Sequence, residues 1–256
     1  MMHDYSNQTV IVTGGAGHIG RAISEHYLAA GANVVICGRR EPAQPVASAG
    51  RSAEFVQADI RDATQSQRVV DAALEKFGSI DVLINNAGGS PPVDAIDASA
   101  EFTQKIIQLN LVAPLVLSTQ CAAVMRGQQT VGNIINIASV SATRPSPGTA
   151  AYGAAKAGLL SATRSLAQEW GPNVRVNAIV VGLVHHDAGV EHYGGEEGFK
   201  RVANMLPLKR MAQPPDIADA CLYLSSGQAS YVSGASLEVD GGGEAPVFLY
   251  LAGDNK

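Results

Sequence analysis

Three polar residues in the second half of the chain have the types and spacing that proton chemistry requires. Tyr152 and Lys156 lie four positions apart, which on a helix brings both side chains to one face, within reach of a common point. A free phenol, with a pKa near 10, is ionised about one part in a thousand at neutral pH. An ammonium about 5 Å away, at an effective dielectric near 20, favours the phenolate by roughly 3 kcal/mol, or 2–3 pK units. The expectation is therefore a phenol brought down to about 7–8, able to exchange a proton during turnover. Ser139 stands thirteen positions before Tyr152, at the end of an apolar run. That is a carboxyl edge of the kind where open α/β sheets bind ligands. Tyr-x-x-x-Lys alone is more often an ordinary amphipathic helix, so its weight depends on what else the chain carries.

Near the amino end, the apolar run Thr9–Val12 passes directly into Thr13-Gly14-Gly15-Ala16-Gly17-His18-Ile19-Gly20, and a helical pattern follows. Gly15, Gly17 and Gly20 spell GxGxxG between a strand and a helix. Glycines there allow a tight turn and let the backbone approach a pyrophosphate seated on the helix N-terminus. A dinucleotide is expected in this loop. Dinucleotide sites of the NAD type carry an acid about 20 residues further on, to accept from the ribose 2′-hydroxyl. Here that stretch reads Cys37-Gly38-Arg39-Arg40, with no acid before Glu41. Two guanidiniums suit a 2′-phosphate that a carboxylate would repel, so NADP(H) is favoured and NAD(H) is the alternative.

The elements that must position these residues are legible as short apolar runs: 9–12, 33–37, 53–56, 80–85, 133–138, 174–181 and 235–239. Each is continuous rather than alternating, as in strands covered by helices on both faces. Between them, 19–30, 62–77, 98–125, 151–170 and 215–225 read as helices. Such alternation implies βαβ units and a doubly wound parallel sheet of seven strands. No linker or internal repeat divides 1–256, so one α/β domain is expected. Its 27 glycines fall after the β-branched runs, as strand-to-helix turns would place them.

Composition removes several function classes. With 46% hydrophobic and 16% charged residues the chain does not have the composition of a disordered one. A net charge of −5 argues against a nucleic-acid partner. Uninterrupted apolar stretches fall short of the ~18 residues a membrane span needs, and Met1–Asn7 shows no signal-peptide pattern. Cys37, Cys121 and Cys221 are isolated, so neither a disulfide framework nor a zinc site is expected. A cytoplasmic globular protein is the expectation.

Taken in order, Thr13–Gly20, Asn85-Asn86-Ala87-Gly88, Asn110, Ser139…Tyr152…Lys156 and Val239-Asp240-Gly241-Gly242 resemble the short-chain dehydrogenase/reductase family over about residues 7 to 243. The resemblance implies a single Rossmann-type domain, an NAD(P)-dependent oxidoreductase and commonly a homotetramer. It makes Tyr152 the acid/base on a carbonyl or alcohol oxygen and Ser139 the hydroxyl that orients that oxygen. Lys156 would lower the tyrosine pKa and grip the nicotinamide ribose, and Asn110 would interrupt a helix and hold a water in a proton relay. Asp59 would accept from the adenine amino group, with Ile60 beside it. Asn86, Ala87 and Gly88 would run along the adenosine ribose, and Arg39 looks like the arginine of NADP-using members. Gly14, Gly17, His18, Ile19 and Gly20 would form the phosphate loop, and Gly182 and Val184 would meet the nicotinamide end.

The chain departs from the family pattern at three positions. His18 stands where the loop usually has Gly, Val181-Gly182 replaces Pro-Gly, and His186 occupies a place where Thr commonly meets the nicotinamide amide. His185, His186, Asp187 and His192 invite a metal reading, but adjacent histidines diverge and no metal is expected. Residues 183–206 instead read as a substrate loop, with His186 and Tyr193 facing substrate and Gly194-Gly195 as a hinge. The tail 244–256 is apolar enough to pack on a neighbouring subunit or on its own chain. The expected reaction interconverts a secondary alcohol and a ketone, on a neutral or bulky apolar substrate of the sterol, terpene or acyl-thioester class. An NAD-dependent catabolic alcohol or hydroxysteroid dehydrogenase is the alternative enzyme. A non-catalytic nicotinamide-binding sensor is the alternative of another class.

Overall fold

The central strands of the main sheet are runs of buried β-branched and aliphatic residues, while its two edge strands are partly exposed; every crossover carries a helix except the one over residues 39–53, which carries a small antiparallel hairpin. The computed structural model describes residues 4–186 and 193–248. The strands are β1 Thr9–Thr13, β2 Asn33–Gly38, β3 Glu54–Gln57, β4 Val82–Asn85, β5 Gly132–Ile137, β6 Val174–Val181 and β7 Ser236–Val239. They are ordered β3-β2-β1-β4-β5-β6-β7, and all six pairings are parallel. Chain direction across the sheet reverses between β1 and β4, the switch point beyond whose carboxyl ends such sheets bind ligands.

The helices are α1 His18–Ala29, α2 Ala63–Phe77, α3 Ala100–Ile107, α4 Ala113–Met125, α5 Ala150–Trp170, α6 Gly195–Met205 and α7 Pro214–Ser225. Alternate strand residues feed two cores, as a period of two requires. Val10, Val12 and Ile36 pack with Ile23 and Tyr27 of α1 and with Ile217 and Cys221 of α7. Ile11, Val35 and Leu83 pack on the other face with Val69 and Val70 of α2, Leu117 and Cys121 of α4, and the partly buried Leu166 of α5.

Two expected elements come out differently. The segment 98–125 is not one α-helix, because a π-helical turn, Gln108–Val112, separates α3 from α4. Ala100–Met125 as a whole is long and apolar enough to cross a membrane. It lies as a core-covering layer instead, with Ile106, Leu117, Cys121 and Met125 buried. The expected loop 183–206 contains α6, whose Ala203 is buried with Leu206 and Met211 while Phe199 and Val202 pack beside them. Gly194 caps the start of α6, so the expected hinge glycines begin a helix. Asp187 and His192 lie outside the described residues.

Candidate active site

A cavity of about 540 Å³ opens at the switch point. Gly14, Gly17, His18, Ile19 and Gly20 line it from the β1–α1 turn, and Arg39 from the end of β2. Asp59, Ile60 and Arg61 follow β3, Asn86 to Gly88 follow β4, and Val184 and His186 follow β6. The buried hydroxyl of Thr13 accepts from the backbone N–H groups of Asn86 and Ala87, each at 2.9 Å. The Asn86 amide donates back to the Thr13 carbonyl at 2.8 Å. One threonine therefore fixes the two loops that face each other across the cavity. Gly20 cannot carry a side chain, since a Cβ there would fall 2.2 Å from the Gly14 carbonyl oxygen. Gly15, the first glycine of the literal GxGxxG, packs against Ile36 and Ser24 rather than facing the cavity.

Asn110 sits in the π turn and is fully buried. Its amide donates to the carbonyls of Gly89 and Ile106, each at 3.0 Å, and its Oδ1 accepts from the Gly89 N–H at 2.9 Å. The neighbouring Gly88 is where the cavity meets Asn110 and Lys156. A Cβ at Gly88 would lie 2.7 Å from Asn110 Oδ1 and 3.1 Å from Lys156 Nζ. Lys156 is 2% exposed, donates to the Ile137 carbonyl at 2.8 Å, and places Nζ 5.7 Å from the centre of the Tyr152 ring. Ser139 ends the turn after β5, where its hydroxyl accepts from the Ser141 N–H at 3.2 Å and caps a short 3₁₀ turn. Asn110, Lys156, Tyr152 and Ser139 are thus linked to one another behind Gly88, although none of the four lines the cavity itself.

The electrostatics differ from the expectation drawn from spacing. Burial pushes the Tyr152 phenol above its ordinary value, and the Ser139 hydroxyl pulls in the opposite direction. Burial also pushes Lys156 down to about 8. The phenol brought down to about 7–8 by a fully charged ammonium is therefore corrected. Desolvation, which spacing does not reveal, dominates both groups.

At the opposite end, the Asp59 carboxylate is gripped by Arg61, with Nε at 2.9 Å from Oδ1 and Nη2 at 2.5 Å from Oδ2. That guanidinium holds the carboxyl below its usual range. Arg39 lines the same end, and among the described residues no carboxylate lies within ion-pair distance of it. Arg40 is exposed and does not line the cavity. Gly182 lines a second, smaller cavity of about 130 Å³, with Val140, Thr143, Arg144, Leu183 and Leu206. Arg144 there pairs with Glu244 at 2.7 Å. Tyr193 lines neither cavity but is half-buried, with its phenol raised by burial and by Glu244. Thr13, Arg61 and Arg144 carry parts of the site for which no role was read from the sequence. Arg61 had a visible signal, a cation two positions after Asp59.

The residues present fit a dinucleotide. Gly14, Gly17, Gly20 and Gly88 put no side chain into the trough, the N-terminus of α1 opens onto it, and the guanidiniums of Arg39 and Arg61 line its far end.

Residues 14–244 match the family model described as Enoyl-(Acyl carrier protein) reductase. The chain is 37% identical over 246 residues to the L-rhamnose 1-dehydrogenase (NAD(P)(+)) of Azotobacter vinelandii, covering 92% of this chain and 96% of that one. It is 34% identical over 249 residues to the 3beta-hydroxysteroid dehydrogenase 1 of Eggerthella lenta, covering 94% and 95%. A solved structure from Brucella melitensis, titled a short-chain dehydrogenase/reductase and glucose/ribitol dehydrogenase, superposes with a TM-score of 0.87 at 30% identity, covering 94% and 98%. Relatives spanning nearly the whole length, together with the buried Tyr–Lys pair beside a glycine-lined trough, lead to one conclusion: this chain belongs to the short-chain dehydrogenase/reductase family and is an NAD(P)-dependent oxidoreductase acting on CH–OH groups.

Proposed function

We propose that the protein interconverts a neutral, polyhydroxylated CH–OH substrate and its carbonyl, using NADP(H) in preference to NAD(H). The observation that carries the reading is the close approach of Lys156 and Asn110 to Gly88, with no room between them for a side chain, which joins the proton-transfer group to the trough. The bound nicotinamide supplies hydride transfer to or from the substrate carbon. In reduction, Tyr152 O–H donates its proton to the substrate oxygen, and in oxidation the phenolate receives one. Ser139 holds the same oxygen by its hydroxyl. Lys156, fixed on the Ile137 carbonyl, keeps an N–H-bearing group at the inner end of the trough, and Asn110 ties that end to Gly89.

Support for NADP(H) is the charge at the far end of the trough. Arg61 neutralises Asp59, which leaves Arg39 as the cation for a 2′-phosphate. Support for a polyhydroxylated substrate is the polar rim beside Ser139, where Thr143, Arg144, Asp240 and Glu244 line the smaller cavity. Sugar dehydrogenases among the relatives point the same way. A bulky apolar substrate of the sterol class is the second reading, favoured by Leu183, Leu206, Tyr193 and Phe199 on the α6 side. The same account has the chain act as a homotetramer, with its tail against a neighbouring copy. Val247 and Phe248, 63% and 64% exposed, support that placement.

Titration of NADPH and NADH, followed by reduced-nicotinamide fluorescence, tests the cofactor assignment. Tighter NADPH binding that is lost in Arg39→Asp is the expected result, and equal binding of both cofactors refutes it. A panel of sugars, polyols and sterols assayed with NADP tests the substrate class.

A further inference from the structure

His18 occupies the first position of α1, on the phosphate-loop lip of the trough, where the family pattern has a residue without a reaching side chain. Its Nε2 lies 2.6 Å from the carbonyl oxygen of His185, 167 residues away in sequence. A carbonyl only accepts, so Nε2 carries the hydrogen in this contact. The His18 ring also stands edge-on to His186, with centroids 4.7 Å apart. His18 and His186 therefore meet across the cavity they both line, one from the turn after β1 and the other from the segment leaving β6.

On its far side that segment is held by backbone bonds. His185 N–H donates to Ala212 at 2.8 Å, and Ala212 N–H donates to Leu183 at 2.9 Å. The His185 ring in turn packs edge-on against Phe199 of α6, at 5.1 Å. Toward the phosphate loop, the contacts of His18 with His185 and His186 form the bridge.

We infer that His18 is a positioning residue that pins the segment leaving β6 onto the phosphate loop, and that it thereby sets how quickly a dinucleotide leaves the trough. The inference rests on the proposed cofactor site. A neutral hydrogen bond and an edge-on ring contact are each modest, and together their loss raises a dissociation rate roughly tenfold. Glycine at this position removes both contacts. Glutamine restores a donor at similar reach without the ring.

The test is stopped-flow displacement of NADPH from the wild-type protein, His18→Gly and His18→Gln, read by reduced-nicotinamide fluorescence. Hydrogen exchange of the ligand-free proteins is measured alongside. The expected result is roughly tenfold faster release from His18→Gly, with part of the loss recovered in His18→Gln. Exchange should rise in the 183–186 segment and stay unchanged in β1, β4 and β5. Release as slow as in the wild type, or exchange that rises equally throughout the sheet, overturns the inference and leaves the cofactor assignment standing. A wild-type protein that binds neither NADPH nor NADH overturns the cofactor assignment, and the inference falls with it.

Discussion

Replacing Lys156 with methionine should remove catalysis and at the same time relieve a stability cost. The ordinary lysine value is 10.5, burial pushes this one to about 8, and the side chain is 2% exposed. Below about pH 8 the ammonium is charged in both folded and unfolded states, and the folded state carries the full penalty of holding it out of water. Between about 8 and 10.5 the unfolded chain binds more protons than the folded one, so stability contributed at this site rises with pH across that window. The shift of about 2.5 units corresponds to about 3 kcal/mol at pH 7, falling to about 1.5 kcal/mol at pH 9.5. Methionine fills a similar volume without charge, but it leaves the Ile137 carbonyl without its 2.8 Å partner, which costs about 1–3 kcal/mol. The absolute change at pH 7 is thus small or stabilising. The more telling quantity is the difference between variant and wild type, which should move by about 2 kcal/mol against the variant from pH 7 to pH 9.5. Urea unfolding of the ligand-free proteins at the two pH values measures it. A difference that does not change with pH would refute the reasoning, because a lysine exposed to solvent would behave that way.

Other consequences follow from the same geometry. Thr13→Val removes the acceptor of two backbone N–H groups and should cost about 2–4 kcal/mol of unfolding free energy, with weaker dinucleotide binding by calorimetry. Gly88→Ala pushes a methyl group against Asn110 Oδ1 and Lys156 Nζ, and should lower kcat about tenfold or more with little change in far-ultraviolet circular dichroism. Because burial holds Tyr152 as a phenol at neutral pH, the reduction rate should be flat there and the oxidation rate should climb with pH. Removal of residues 245–256 should give a smaller species in light scattering.

The five central strands are legible because their apolar runs must be continuous when both faces are covered, the two edge strands show shorter runs broken by polar residues, and all seven lie within two residues of their expected bounds. Helix α6 escapes that reading because Gly194-Gly195 read as a hinge, although Phe199, Val202, Ala203 and Leu206 follow helical spacing. Asn110, Ser139, Tyr152 and Lys156 are found by spacing together with resemblance. Their proton affinities are not, because desolvation depends on burial by distant strands. Of the two adjacent arginines, only the folded backbone shows that Arg39 lines the cavity and Arg40 does not. Likewise a histidine in a glycine-rich turn acquires meaning only when His185, far along the chain, arrives beside it.

Tyr152→Phe tests the central claim most directly, with turnover and cofactor affinity measured on the same preparation. The account predicts that kcat falls by about 10²–10⁴ while the NADPH dissociation constant stays nearly unchanged, because the phenol moves a proton and the trough is built by other residues. A variant that still turns over CH–OH substrates at the wild-type rate would contradict it.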